Sequence, residues 1–147
     1  MNPKFIATKE LAMAEVRKDG MALGTVHVQI IDYEMCRVAV EQHECSLQYV
    51  PKEFIDYDLC IIALKKYGGM LRRVPKELID YDMCMVAVEN CGDALEYVPS
   101  KLIDYNMCMT AVDNDGYAVQ YVPAKLLDNN LAMAAVETVR YEEWQNE

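Results

Sequence analysis

The stretch DYDMCMVAVENCGDALEYVPSKLI, residues 80–103, decides the fold because close copies of it stand on both sides. The pattern recurs every 24 residues, which is typical of a solenoid built from stacked supersecondary units. The close copies are residues 32–55, 56–79 and 104–127, and degenerate copies occupy 8–31 and 128–147.

Each unit predicts one α-helix followed by short helical turns. Asp80 stands where an N-cap belongs, and apolar residues such as Met83 and Ala87 then recur at helical spacing. Gly92 follows where a residue in the left-handed conformation would end the helix. The remainder of the unit is too short for a second long helix and favours 3₁₀ turns. The sequence therefore predicts an all-α solenoid of about six 24-residue repeats.

The chain of 147 residues, 53% of them apolar, is expected to form one domain over residues 1–147. Its predicted parts are a degenerate N-terminal repeat at 1–31, core repeats at 32–127 and a capping repeat at 128–147. In the capping repeat we expect a longer helix whose polar outer face closes the stack, with Trp144 folded back onto Leu126 and Leu127. No apolar run is long enough to cross a membrane, and no signal-peptide pattern begins the chain.

Four of the six cysteines stand at the fifth position of their units, where the flanking copies have alanine. Equivalent positions of packed helices lie roughly 8–10 Å apart. That separation is too long for a disulfide and does not bring ligands together on one zinc ion. We therefore expect Cys36, Cys60, Cys84 and Cys108 to be buried free thiols without a metal.

The pattern DxxMCxxAVxxxGxALxYVPxxLI resembles a bacterial and viral family of tandem 24-residue helical repeats that is classed as a domain of unknown function. Asp80, Gly92 and Tyr97 all have counterparts in that family, whereas Val98-Pro99 replaces residues that are usually small there. The architecture is also similar to the leucine-rich repeat variant. The resemblance implies an extended helical stack used for interaction, and it implies no catalytic residue.

No constellation typical of an enzyme is present, and the sequence predicts neither an enzyme nor a bound cofactor. His27 and His43 have no partner at metal-ligand spacing, and the acidic pairs such as Asp80 and Asp82 recur in unit after unit. Capping explains recurring carboxylates, whereas a catalytic pair is usually singular.

The tyrosines of the second and eighteenth positions form two ladders, which have two interpretations. The rings could stack on nucleic-acid bases. The interpretation that we favour is that each ring covers the junction with the next repeat and directs its hydroxyl to solvent or backbone. The ladders are Tyr33, Tyr57, Tyr81 and Tyr105, and Tyr49, Tyr97 and Tyr121.

Charge is the feature that departs from the repeat. The net charge is −10, and all of the excess lies in residues 80–147. One basic island interrupts the acidic stretches at Lys65, Lys66, Arg72 and Arg73. Together with this island, the candidate partner-binding residues are Asp82, Glu89, Asp93, Glu96, Asp113, Asp115, Tyr117 and Glu137.

These observations predict a non-enzymatic, cytoplasmic protein-binding module whose partner is a protein with a basic surface. The alternative is a small acidic inhibitor that mimics nucleic acid and blocks a basic cleft, of the anti-CRISPR kind that phages direct against bacterial defence. Direct nucleic-acid binding is disfavoured because four clustered cations are few for a phosphate backbone. The identity of the partner, the host, the oligomeric state and the choice between variable turns and acidic face stay open.

Overall fold

The computed structural model describes residues 8–145, with only the backbone of Glu142, Glu143 and Gln145. The first seven residues of the predicted N-terminal repeat and the last two of the capping repeat lie outside this range. The all-α prediction is confirmed, since each unit begins with an α-helix and no strand occurs from 8 to 145. The helices are α1 (Lys9–Lys18), α2 (Tyr33–Gln42), α3 (Tyr57–Lys66), α4 (Tyr81–Asn90), α5 (Tyr105–Asn114) and α6 (Asn129–Gln145).

The predicted short turns are 3₁₀ helices. A six-residue 3₁₀ helix follows each of the first five α-helices, and a three-residue one completes the first three repeats. They are η1 (Gly20–Thr25), η2 (Val28–Ile30), η3 (Glu44–Tyr49), η4 (Lys52–Phe54), η5 (Gly68–Arg73), η6 (Lys76–Leu78), η7 (Gly92–Tyr97) and η8 (Gly116–Tyr121).

The aspartate that opens each core unit is the N-cap that the sequence predicts. The Asp80 carboxylate accepts the backbone N–H of Met83 at 2.8 Å, which satisfies one of the free donors of α4. A cap of this kind contributes about 1 kcal/mol. The equivalent bonds are made by Asp32, Asp56, Asp104 and Asp128.

The core lies at positions 4, 5, 8 and 9 of each repeat from 32 to 127. In α4 these are Met83, Cys84, Ala87 and Val88, and all four have no exposed surface. The four ladder cysteines are buried and free, as predicted, and alanine serves at the same position because a thiol there acts as a small apolar group.

The prediction of left-handed glycines is wrong, because no glycine from 8 to 145 has a positive φ. The α4 helix ends instead at Cys91, whose φ of −151° is extended, and Gly92 begins η7. Gly92 is required for a different reason. A methyl group there would overlap the carbonyl oxygen of Ala111 in the next repeat, so only glycine permits the close approach.

Asparagine side chains join neighbouring repeats at the same place. The side-chain oxygen of Asn114 accepts the N–H of Gly92 at 2.8 Å, and its amide donates to the carbonyl of Glu89 at 3.0 Å. Asn90 accepts the N–H of Gly68 at 3.0 Å in the same way. These bonds satisfy the N–H groups that begin η5 and η7.

The chain divides into two compact units between Lys66 and Tyr67. In the first unit α1 packs on α2 and α2 on α3, and in the second α4 packs on α5 and α5 on α6. The assignment of 1–147 to a single domain stays a prediction. No helix in the described range is long and apolar enough to span a bilayer.

The capping repeat has the long helix that was predicted, but its exposed face is not polar. Its helix α6 runs for 17 residues, as expected from the lost glycine. The expected polar outer face is wrong, because Met133 is 62% exposed and Val136 is 50% exposed. Trp144 is 74% exposed, so it is not covered by folding back. This helix has no following repeat to cover its apolar residues within the described chain.

Candidate protein-binding surface

Three carboxylates of the second compact unit lie on two successive 3₁₀ helices, close enough for their charges to interact. Asp93 and Glu96 lie exposed on η7, and Asp115 caps η8 by accepting the N–H of Tyr117 at 2.9 Å. Partial burial raises the pKa of Asp93, and the negative charges of Asp115 and Glu96 raise it further. The free protein therefore holds like charges together at this place.

Tyrosines border the three carboxylates. The ring of Tyr117 is 56% exposed. The pKa of Tyr121 is raised by desolvation and then by the charges of Glu96 and Asp93. We define the acidic turn surface as Asp93, Glu96, Asp115 and Tyr117. It combines negative charge with an aromatic face, and such a surface can bind a lysine or arginine side chain.

A basic groove lies beside this surface in the same unit. It has a volume of about 510 Å³, and its lining includes Arg72, Lys76, Tyr97 and Lys101. The pKa of Tyr97 is raised overall, mainly by a hydrogen bond with Glu96, and the nearby charge of Arg72 partly offsets this rise. Tyr97 therefore stands between the acidic turn surface and the basic groove.

The structure brings together only some of the predicted site residues. Asp93, Glu96, Asp115 and Tyr117 form one surface. Four further carboxylates are exposed on α-helices, at positions 3 and 10 of their repeats, and they do not belong to the turn surface as defined. These are Asp82 and Glu89 on α4, Asp113 on α5 and Glu137 on α6.

The basic island divides between the two compact units. Lys65 and Lys66 end α3 in the first unit, whereas Arg72 and Arg73 end η5 in the second, and all four are exposed. Their action as one island stays a prediction. Within the second unit, Arg72 lines the groove with Lys76 and Lys101, a pair that the sequence analysis did not select. A signal was available, because lysine recurs at positions 21 and 22 of the units.

A second cluster lies in the first unit at His43, Glu44 and Cys45. One ligand atom from each lies within 4.8 Å of the others, although the sequence analysis assigned no metal partner to His43. The Nδ1 atom of His43 already accepts the N–H of Cys45 at 3.2 Å, because His43 caps η3. Capping therefore accounts for the position of this imidazole.

Comparison with known proteins identifies the repeat but no relative of established function. No curated protein and no solved structure matches the chain. One family model matches twice, at residues 32–79 and 56–103, and the two matches are offset by the 24-residue period. Residues 32–103 therefore belong, as tandem repeats, to the family described as a domain of unknown function (DUF4116).

Proposed function

We propose that the protein is a non-enzymatic protein-binding module whose acidic turn surface docks a segment rich in lysine or arginine. The observation that supports this is the pKa of Asp93, which desolvation raises first and the charges of Asp115 and Glu96 raise further. A cationic partner relieves this repulsion between carboxylates, and Tyr117 offers it an exposed ring.

The repeat supports a binding role in a second way. Equivalent positions of η5, η7 and η8 carry different side chains on the same backbone. Position 14 is Gly69, Asp93 or Tyr117, and position 17 is Arg72, Glu96 or Gln120. A scaffold that varies its turn positions while it keeps its core is typical of repeat proteins that bind other proteins.

A nucleic-acid mimic is the second candidate function. It is favoured by the exposed carboxylates at position 10 of three helices, namely Glu89, Asp113 and Glu137, and by the net charge of −10. A mimic loses its partner steeply as salt rises and competes with DNA or RNA for that partner. A contact centred on apolar anchors persists in moderate salt.

The test is affinity capture from nuclease-treated lysate with three forms of the chain. The first is wild type, and the second is D93N/E96Q/D115N, in which the asparagine introduced at position 115 keeps a capping side chain. The third is E10Q/E53Q/E77Q, which removes three exposed charges elsewhere. We expect a protein that wild type and the control retain and that the surface variant loses. If all three forms retain the same partner equally, the acidic turn surface is not the binding site.

Duplex DNA added to the captured complex separates the two candidate functions. Displacement by DNA at moderate salt supports the mimic, whereas displacement by a lysine-rich peptide alone supports the binding module. We place the protein in the cytoplasm as part of the same proposal, since free thiols persist in a reducing compartment.

A further inference from the structure

Each helix has one side that faces the preceding repeat, and the glycines identify it. A methyl group at Gly116 would lie 2.5 Å from the carbonyl oxygen of Ala135, at position 8 of the next unit. Gly20 stands in the same relation to Ala39. Position 4 lies one turn earlier on the same side. We define the preceding face of a helix as its positions 4, 8 and 11.

The opposite neighbour covers positions 5 and 9. These positions are fully buried in α1, α2, α4 and α5. Each of these helices is followed by another α-helix within its own compact unit. In α6 the same positions are Ala132 and Val136, and both are exposed. We define the following face of α6 as Ala132, Met133, Val136, Arg140 and Trp144.

Within the described residues, the preceding face of α1 is uncovered in the corresponding way. Its position 4 is Leu11, which is 53% exposed, whereas the equivalent Met107 and Leu131 have no exposed surface. Its position 8 is Glu15, where the other units have alanine, and its position 11 is Lys18. The chain thus carries both halves of the contact that its repeats make with one another.

One pair of charges on these two faces is complementary. Position 13 of one unit approaches position 8 of the next, as Gly116 approaches Ala135. On the uncovered faces these positions are Arg140 and Glu15, so opposite charges replace the small pair. The net charges of the two helices are also opposite, since α1 has three cations and two carboxylates, whereas α6 has one cation and three carboxylates.

We propose that the following face of α6 packs on the preceding face of α1 in a second copy of the chain. The contact is heterologous, because it joins two different surfaces, and each added copy leaves one face of each kind free. Association therefore continues past the dimer unless the copies close into a ring. The apolar anchors are Val136, Met133 and Leu11, and Glu15 with Arg140 sets the register.

The test is the mass of the full chain in reducing buffer, measured by sedimentation at increasing concentration. We expect wild type to associate in a concentration-dependent manner. L11D and V136D each place a charge on one exposed face, and each alone is expected to weaken association by about 10-fold or more. An equimolar mixture of the two is expected to form a 1:1 dimer, since each variant keeps the face that the other lacks.

Charge reversal provides a second test of the contact, and these substitutions are less expected to disturb folding. E15R and R140E are each expected to weaken association by about 2- to 5-fold, and the double variant E15R/R140E is expected to restore it. Circular dichroism confirms that each variant is folded. A wild-type chain that stays monomeric to about 1 mM overturns the proposal. The proposal is also overturned if the L11D variant associates as strongly as wild type. The preceding face of α1 would then take no part in the contact.

Discussion

The hydroxyl of Tyr105 donates to the carboxylate of Asp128, with both oxygen atoms 3.2 Å away. The same carboxylate accepts the N–H of Leu131 at 2.9 Å and so caps α6. Tyr33 is bonded to Asp56 in the same way. For these two tyrosines the expectation of a hydroxyl directed to solvent or backbone is therefore wrong. The ring joins its own repeat to the N-cap of the next one.

Replacing Tyr105 by phenylalanine tests this link. We expect Tyr105→Phe to lower the free energy of unfolding slightly, since it removes this hydrogen bond but the pair is exposed to solvent. Tyr117→Phe is the control, because its ring is 56% exposed. Urea denaturation measures both, and an equal effect of the two substitutions contradicts the assigned role of Tyr105.

Gly92→Ala tests the close approach between repeats. The added methyl group would overlap the carbonyl oxygen of Ala111, which belongs to backbone and cannot rotate away. We expect a loss of stability of about 2–3 kcal/mol, as for an overpacked core. At Gly24 a methyl group would lie 3.0 Å from the Tyr49 ring, which can move, so Gly24→Ala is the matched control. An equal loss of thermal stability in the two variants would contradict this account.

Thiol labelling tests the burial of the cysteine ladder. Desolvation raises the pKa of Cys36 to about 12 and that of Cys60 and Cys84 to about 11, and it also raises the pKa of Cys108. At pH 8 a thiol of pKa 11 is about 0.1% thiolate, so these four should react slowly with an alkylating reagent. Cys45 and Cys91 are partly exposed and should react first. Six equally fast thiols in native buffer would contradict the buried ladder.

Substituting a ladder cysteine shows whether its buried site requires a side chain of a certain size or one that is apolar. We expect Cys84→Ser to cost about 1–3 kcal/mol, since it buries a hydroxyl in an apolar site. Cys84→Ala should cost less than the serine variant, because Ala12 occupies the equivalent buried position. Chemical denaturation compares the two, with elemental analysis of the wild-type protein as a further check. Metal bound in stoichiometric amount would contradict the structural role.

The pKa of Asp93, raised first by desolvation and then by the charges of Asp115 and Glu96, predicts an effect on stability that depends on pH. Because the pKa of Asp93 is raised in the folded protein, its ionisation destabilises the fold, and this cost disappears as the pH falls through the folded pKa. Asp93→Asn should therefore gain a few tenths of a kcal/mol at pH 7 and nothing near pH 3. Asp82→Asn removes a favourable charge from the first turn of α4 and should show no gain. A loss of stability in Asp93→Asn at pH 7 contradicts the repulsion.

The sequence predicted those features that depend on a single repeat. Asp80 signals an N-cap through residue type and position, and the alternation of cysteine with alanine signals a small buried site. Gly92 was misassigned because glycine after a helix fits both a left-handed cap and a close contact. Only the distance to Ala111 in the next unit distinguishes them, and a pattern along the chain does not contain that distance.

The candidate surface was only partly predictable for the same reason. The acidic residues of the second unit stand out by composition, so Asp93 and Asp115 were selected. Lys76 and Lys101 belong to different repeats, and their meeting with Arg72 depends on how successive turns pack, which a pattern along the chain does not contain. Trp144 was expected to be covered, as large apolar residues usually are, but α6 has no following helix in the described chain.

The measurement that tests the proposed function most directly is the pKa of the Asp93 carboxyl group by NMR, with and without saturating lysine-rich peptide. The account predicts a pKa above the ordinary value in the free protein, a lower one in E96Q/D115N, and a fall in the wild-type value when the peptide binds. An ordinary pKa in the free protein that the peptide leaves unchanged would contradict the claim that this surface binds a cationic partner.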